Sequence, residues 1–179
     1  MPRLNIFLEG SDDVRFFEKA LVPALRTRYG EVRLIPYASL RGVVVDRLIR
    51  GLERREEEYV IVADIDSEPS VRAKKGVILR RFGRAGPGAV VVVVMEIESW
   101  YVAGADDGFL RGCGLVPPGS TDRLTKEEFN ALIPRRYISR VEFMLDLLES
   151  YSLERGADRN RSLEFFLNRY APEAATIHK

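Results

Sequence analysis

One cysteine, Cys113, and one histidine, His178, are all the chain has of two versatile catalytic and metal-binding side chains. A lone cysteine excludes an internal disulfide and a cysteine-based zinc cluster, and it fits a reducing compartment. A single histidine near the end of the chain leaves no room for a multi-histidine metal site or a histidine-dependent triad. Acid–base work then falls to carboxylates, lysine, tyrosine or metal-bound water. Net charge is also scarce: 28 basic residues against 27 acidic leave +1, so no overall field draws the chain onto nucleic acid or an anionic membrane. Any such contact is a local patch. Long apolar runs are missing too. The longest, Ala89 to Met95, is far too short to cross a bilayer, and the N-terminus lacks the charged-then-apolar shape of a signal peptide. A soluble, cytoplasmic protein without a membrane partner is expected. There is no G-x-x-x-x-G-K-[ST] element, which excludes a P-loop nucleotide site, and no repeat at a fixed period.

What is present is an ordinary globular composition, 46% hydrophobic and 31% charged over 179 residues, enough for one domain with a full core. Arginine outnumbers lysine, which suits planar recognition of phosphate but fits surface ion pairs as well. Leu4 to Leu8, Val32 to Tyr37, Tyr59 to Ala63 and Ala89 to Met95 read as strands. Between them, Val14, Phe17, Leu21 and Leu25, then Val44, Leu48 and Leu52, then Val71, Ile78 and Phe82 mark helices. The alternation predicts an α/β fold: a mainly parallel central sheet of about four strands flanked by helices. Glu53 to Glu58 reads as a solvated helix end. Gly104 to Asp122 is Gly/Pro-rich without periodicity, a surface excursion or a flap. Thr125 to Leu132, Ile138 to Leu148 and Ser162 to Tyr170 are predicted as closing helices, the last docking on the sheet through Leu163, Phe166, Leu167 and Tyr170. The expected division is an α/β core over 1–104, with 105–179 a loop and extra C-terminal helices packed on the same core as a single domain.

Acidic residues collect where strands end. VIVADIDSE, Val60 to Glu68, runs from buried apolar residues into Asp64 and Asp66; Glu9 and Asp13 follow the first strand, and Glu96 and Glu98 the fourth. In open parallel sheets ligands gather beyond the carboxyl ends of the strands. Residues two apart in extended backbone face the same side, so Asp64 and Asp66 would converge, and two carboxylates repel unless a cation or proton lies between them. These six carboxylates form the candidate metal site; if the first, third and fourth strands are neighbours, Glu9, the Asp64/Asp66 pair and the Glu96/Glu98 pair could share one or two ions, for which oxygen ligation suits Mg2+ or Mn2+. Each also has a plain reading. Glu9 would be a turn residue, Asp13 a first-turn residue favoured by the helix dipole, Asp64 or Asp66 an N-cap, and Glu96 and Glu98 caps of the next helix. Trp100 and Tyr101 read as core packing before base stacking. Lys74-Lys75, Arg80-Arg81 and Arg135, Arg136 and Arg140 with Lys126 read as solvated faces before phosphate contacts, while Asn160 or Ser162 caps the last helix and Arg161 reaches an anion.

Glu9-Gly10-Ser11-Asp12-Asp13 after the first strand and Asp64-Ile65-Asp66 after a later one resemble the Toprim domain. That domain is shared by topoisomerases, bacterial-type primases, recombination proteins and the overcoming-lysogenization-defect nucleases. Glu96-Ile97-Glu98-Ser99-Trp100 and Asn160 to Leu167 are similar to small stand-alone Toprim-like proteins of microbes, some linked to phage defence or mobile elements. The resemblance covers Leu4 to Ala103, with a weaker match near the C-terminus. It implies a compact Rossmannoid fold and Mg2+-dependent phosphodiester chemistry on DNA or RNA. In it Glu9 is the general acid/base or a metal ligand, Asp64 and Asp66 are metal ligands, and Asp13 and Glu98 support them. Nucleases of the group carry a further basic residue downstream, for which Lys126 or Arg161 is the choice here; no tyrosine is placed as a topoisomerase nucleophile. The expected activity is therefore a Toprim-type nuclease. The alternatives are a nucleotidyltransferase or phosphohydrolase with the same metals, or a non-catalytic binding or regulatory module, with a homodimer or a partner protein compatible with each.

Overall fold

The apolar runs become strands because their β-branched and aromatic residues are covered on both faces. The computed structural model describes residues 1–175; His178 lies outside them. Four strands, β1 (Arg3–Leu8), β2 (Glu31–Pro36), β3 (Glu58–Asp64) and β4 (Val90–Val93), pair in the order β2-β1-β3-β4. All pairings are parallel, with Leu8 beside Pro36, Phe7 beside Ile61 and Asp64 beside Val93. Among the described residues no helix is long and apolar enough to cross a membrane.

The chain forms two compact units, Met1–Val93 and a second beginning at Val94. In the first, β1 leads through α1 (Ser11–Phe16), a wider π-type turn at Phe17–Leu21 and α2 (Val22–Leu25) into β2. Then α3 (Gly42–Arg54) crosses back over β1 to β3, and α4 (Val71–Arg81) leads on to β4. The direction of travel along the sheet therefore reverses at β1. Since crossovers in parallel sheets are right-handed, the β1–β2 connection lies on one face while α3 and α4 lie on the other. On the α3/α4 face Phe7, Ile61, Ala63, Val90 and Val92 pack with Val45, Ile49, Leu52, Ile78 and Phe82. By alternation Leu4, Ile6, Leu8, Val60 and Val62 turn the opposite way and are equally buried.

β4 is shorter than the apolar run around it. Ala89 closes a 3-10 turn opened by Pro87, and beyond the strand Met95 has φ 64°. The expected solvated segment Glu53 to Glu58 carries one side chain that is not solvated: Glu57 is 7% exposed and accepts hydrogen bonds from Arg55, Arg3 and Asn5. These hold its carboxyl at about 2, the Arg55 bond contributing most.

The second unit is helical: α5 (Glu98–Ala103), α6 (Asp107–Gly112), α7 (Lys126–Leu132), α8 (Arg140–Glu149), α9 (Leu153–Arg159) and α10 (Arg161–Tyr170). Phe143 of α8 gathers Phe109, Phe129 and Tyr137 with ring centroids 6.3, 5.8 and 5.1 Å away. Trp100 packs on Phe166, and its indole N–H donates to Ser162 Oγ at 2.8 Å. Both Trp100 and Tyr101 are fully buried core residues. Gly104 lets α5 approach α9, since a Cβ there would lie 2.3 Å from the Tyr151 ring.

Candidate functional site

The reversal of the crossovers at β1 puts the topological switch point between the carboxyl ends of β1 and β3, the place where ligands bind in open α/β sheets. The residues that follow those two strand ends are Glu9 and the segment Asp64 to Asp66. Glu9 comes directly after Leu8, and its side chain is 25% exposed. Its Oε1 accepts a 3.0 Å hydrogen bond from the Tyr37 hydroxyl, which also lies 3.3 Å from the carbonyl of Val62. Tyr37 follows β2 and extends its ladder, its N–H donating to Leu8 O at 2.8 Å. Burial, followed by the Glu9 charge and the hydrogen bond to it, pushes the Tyr37 phenol far above the ordinary tyrosine value, with Asp13 adding to the effect. The hydroxyl is thus a fixed donor to Glu9.

Asp64 ends β3 and is half-buried. The extended geometry that would set Asp66 on the same side stops there. Asp66 instead takes φ 52°, a left-handed conformation that aspartate tolerates, in a turn closed by Glu68 N donating to Ile65 O. Its side chain is 56% exposed and accepts a hydrogen bond from Lys74 Nζ. The same ammonium lies 4.0 Å from Glu9 Oε1. Side chains from the ends of β1 and β3 therefore meet at one positive charge. Asp13 is 4% exposed, and its Oδ2 accepts from Gly10 N at 3.1 Å, a capping contact that fixes the turn after β1.

Lys74 and Tyr37 are the participants that the sequence reading did not assign. Lys74 belongs to a pair read as a solvated face, yet it is 5% exposed. The available signal was its spacing: 74, 78 and 82 are four apart, so Lys74 lies on the stripe of Ile78 and Phe82.

Glu96 and Glu98 belong to the second unit. Glu96 accepts from Lys126 N at 2.7 Å, at the start of α7. Glu98, 3% exposed, forms an ion pair with Arg140 and lies 4.0 Å from Lys126 Nζ. Burial raises its pKa despite these cations. Arg161 lines a cavity of about 540 Å3 with Val94, Ser120, Asp122 and Arg123; its Nε is 3.4 Å from Asp122 Oδ2. Asn160 caps α10, its Oδ1 accepting from Ser162 N and Leu163 N.

Carboxylate oxygens are the donor chemistry that Mg2+ or Mn2+ takes, and Glu9 and Asp66 already converge on a cation. Among the described residues, however, no three histidine, cysteine, aspartate or glutamate side chains are grouped to hold a metal ion. The donor set fits in kind, with Lys74 supplying the positive charge.

No protein-family model and no curated protein matches the sequence. Among solved structures the chain is similar to the C-terminal region of the OLD protein of Xanthomonas campestris pv. campestris, at 17% sequence identity and a TM-score of 0.38, covering 98% of this chain and 89% of that one. At that identity and TM-score the likeness assigns no residue of the site, which stands on its own geometry.

Proposed function

We propose that the switch point at the ends of β1 and β3 is a divalent-cation site for phosphodiester cleavage in nucleic acid. The observation that carries this reading is the meeting of Glu9 and Asp66 at one positive charge, at the reversal point of a parallel sheet. Glu9 and Asp66 would hold Mg2+ or Mn2+ together with water, Asp64 at the end of β3 would join them once the ion is bound, and Asp13 shapes the turn that carries Glu9. When bound, the cation supplies charge neutralisation at a phosphoryl oxygen and a lowered pKa for the attacking water. The chain's own groups do the positioning. Tyr37 fixes the orientation of Glu9 by hydrogen bonding to it, and in this reading Glu9 would also accept or return a proton at its carboxylate.

The test is incubation with single- and double-stranded DNA and RNA in Mg2+, Mn2+ or EDTA, beside Asp64→Ala. Metal-dependent cutting that disappears in the variant is the expected result. Turnover of free nucleotides alone would move the site to a nucleotidyltransferase or phosphohydrolase. A second reading, a non-catalytic binding module, is favoured by one feature: Lys74 already neutralises the acidic pair. Absence of both cutting and Mn2+ binding would establish that reading over ours.

A further inference from the structure

We infer that Lys74 is a built-in counter-ion of the Glu9/Asp66 pair, which a divalent cation must displace, so that it sets the metal concentration at which the site loads. The inference rests on the cation site proposed above and concerns its regulation. Lys74 is the fourth residue of α4, whose first turn is capped by the Ser70 hydroxyl accepting from Ala73 N. A helix start carries partial positive charge and disfavours an ammonium. Burial disfavours it further, and Lys74 is 5% exposed on the stripe that also carries Ile78. Two local penalties are therefore accepted at this position. What offsets them is the pair of carboxylates from two different strand ends, one hydrogen-bonded to the ammonium and the other 4.0 Å away.

A divalent ion held by the same two carboxylates would compete with the ammonium for the same oxygens, and two cations that close repel strongly. A unit charge about 4 Å from a divalent ion weakens its binding roughly thirtyfold even with water-like screening, and more in a lower dielectric. Lys74 would thus keep the acidic pair compensated while metal is scarce and raise the concentration needed to fill it.

The measurement is Mn2+ affinity, by calorimetry and by the electron paramagnetic resonance of free Mn2+, for the full-length wild type, Lys74→Gln and Lys74→Arg. Lys74→Gln is expected to bind at least about tenfold more tightly than wild type. Lys74→Arg, which keeps the charge, should stay within about threefold of it. Equal or weaker binding by Lys74→Gln overturns the inference while leaving the metal site standing. Absence of Mn2+ binding in wild type and variant alike overturns both. If Lys74→Gln does not fold, Mg2+ is titrated into wild type labelled with 15N-lysine. The Lys74 Nζ signal must then shift in step with saturation, and a signal that stays fixed sinks the proposal.

Discussion

Replacing Tyr37 with phenylalanine isolates the contact that holds Glu9. The ring sits edge-on to Phe82 with centroids 5.4 Å apart and 5.5 Å from the Arg81 guanidinium. Both contacts survive the substitution, so no cavity opens. What disappears is the hydroxyl that donates to Glu9 at 3.0 Å. A hydrogen bond to a charged partner contributes about 1.5–3 kcal/mol. The variant also avoids burying a hydroxyl, so the net loss at pH 7 should be about 1–2 kcal/mol.

The pH dependence makes the test sharper. Because the folded-state pKa of Tyr37 lies above the unfolded value of 10.0, the folded protein keeps the phenolic proton when the unfolded chain has lost it. Stability from this group is complete below pH 10 and falls above it by about 1.4 kcal/mol per pH unit. Tyr37→Phe lacks that loss. Urea unfolding followed by far-ultraviolet circular dichroism at pH 7 to 11.5 should show wild type more stable at neutral pH and the two curves converging about one pH unit above 10. Equal stability at pH 7, or a gap that stays constant to pH 11.5, would refute the picture of a buried donor turned toward Glu9.

Two further predictions concern the second unit, where the only tryptophan, Trp100, reports unfolding by fluorescence. Arg140→Met leaves the buried Glu98 carboxylate with Lys126 alone, and should cost about 3 kcal/mol at pH 7. Burial places the folded-state pKa of Glu98 above its ordinary 4.5, so this loss should shrink as pH falls toward 4.5, and adding Glu98→Gln should recover most of it at neutral pH; a pH-independent loss would contradict the assignment. Asn160→Ala removes the α10 cap and the donors to Ser99 Oγ and Thr121 Oγ1. It should lower stability by about 2–4 kcal/mol, and an unchanged urea midpoint would show that the cap is not structural.

The strands were legible because apolar runs such as LNIFL and VIVA end abruptly in carboxylates, and burial on both faces removes the need for alternation. The α6 and α9 helices were not, since neither carries a periodic apolar stripe. DDGFLRG and LERGADR each contain glycine, and they are started by Asp106 and Ser152, whose side chains accept from Phe109 N and Arg155 N. Such short helices draw their stability from caps and tertiary packing rather than from propensity. A cap at Asn160 or Ser162 was legible, because a polar residue directly before an apolar helical face is the usual mark of a helix start, and the structure puts it at Asn160. Tyr37 and Lys74 were read by their immediate neighbours, as the end of a strand and part of a charged face. Their roles depend on which strand end each one reaches.

That dependence comes down to strand order. Sequence order alone leaves open whether β1 lies beside β3 or is separated from it by β2, and only the first arrangement brings Glu9 toward Asp66. The observed order β2-β1-β3-β4 makes those ends adjacent, and adjacency has a cost, because acidic side chains then gather at the edge of a buried sheet. Two groups offset it here: the Tyr37 hydroxyl on Glu9, and the Lys74 ammonium shared by Glu9 and Asp66. Tyr37 is supplied by the segment that leaves β2 and Lys74 by the helix that follows β3. Each compensating group thus comes from an element flanking the reversal point, so the topology that concentrates the negative charge also delivers what balances it. Under the proposed function, a cation entering here would meet carboxylates that are already oriented and already matched, and its affinity would be the difference between those two effects.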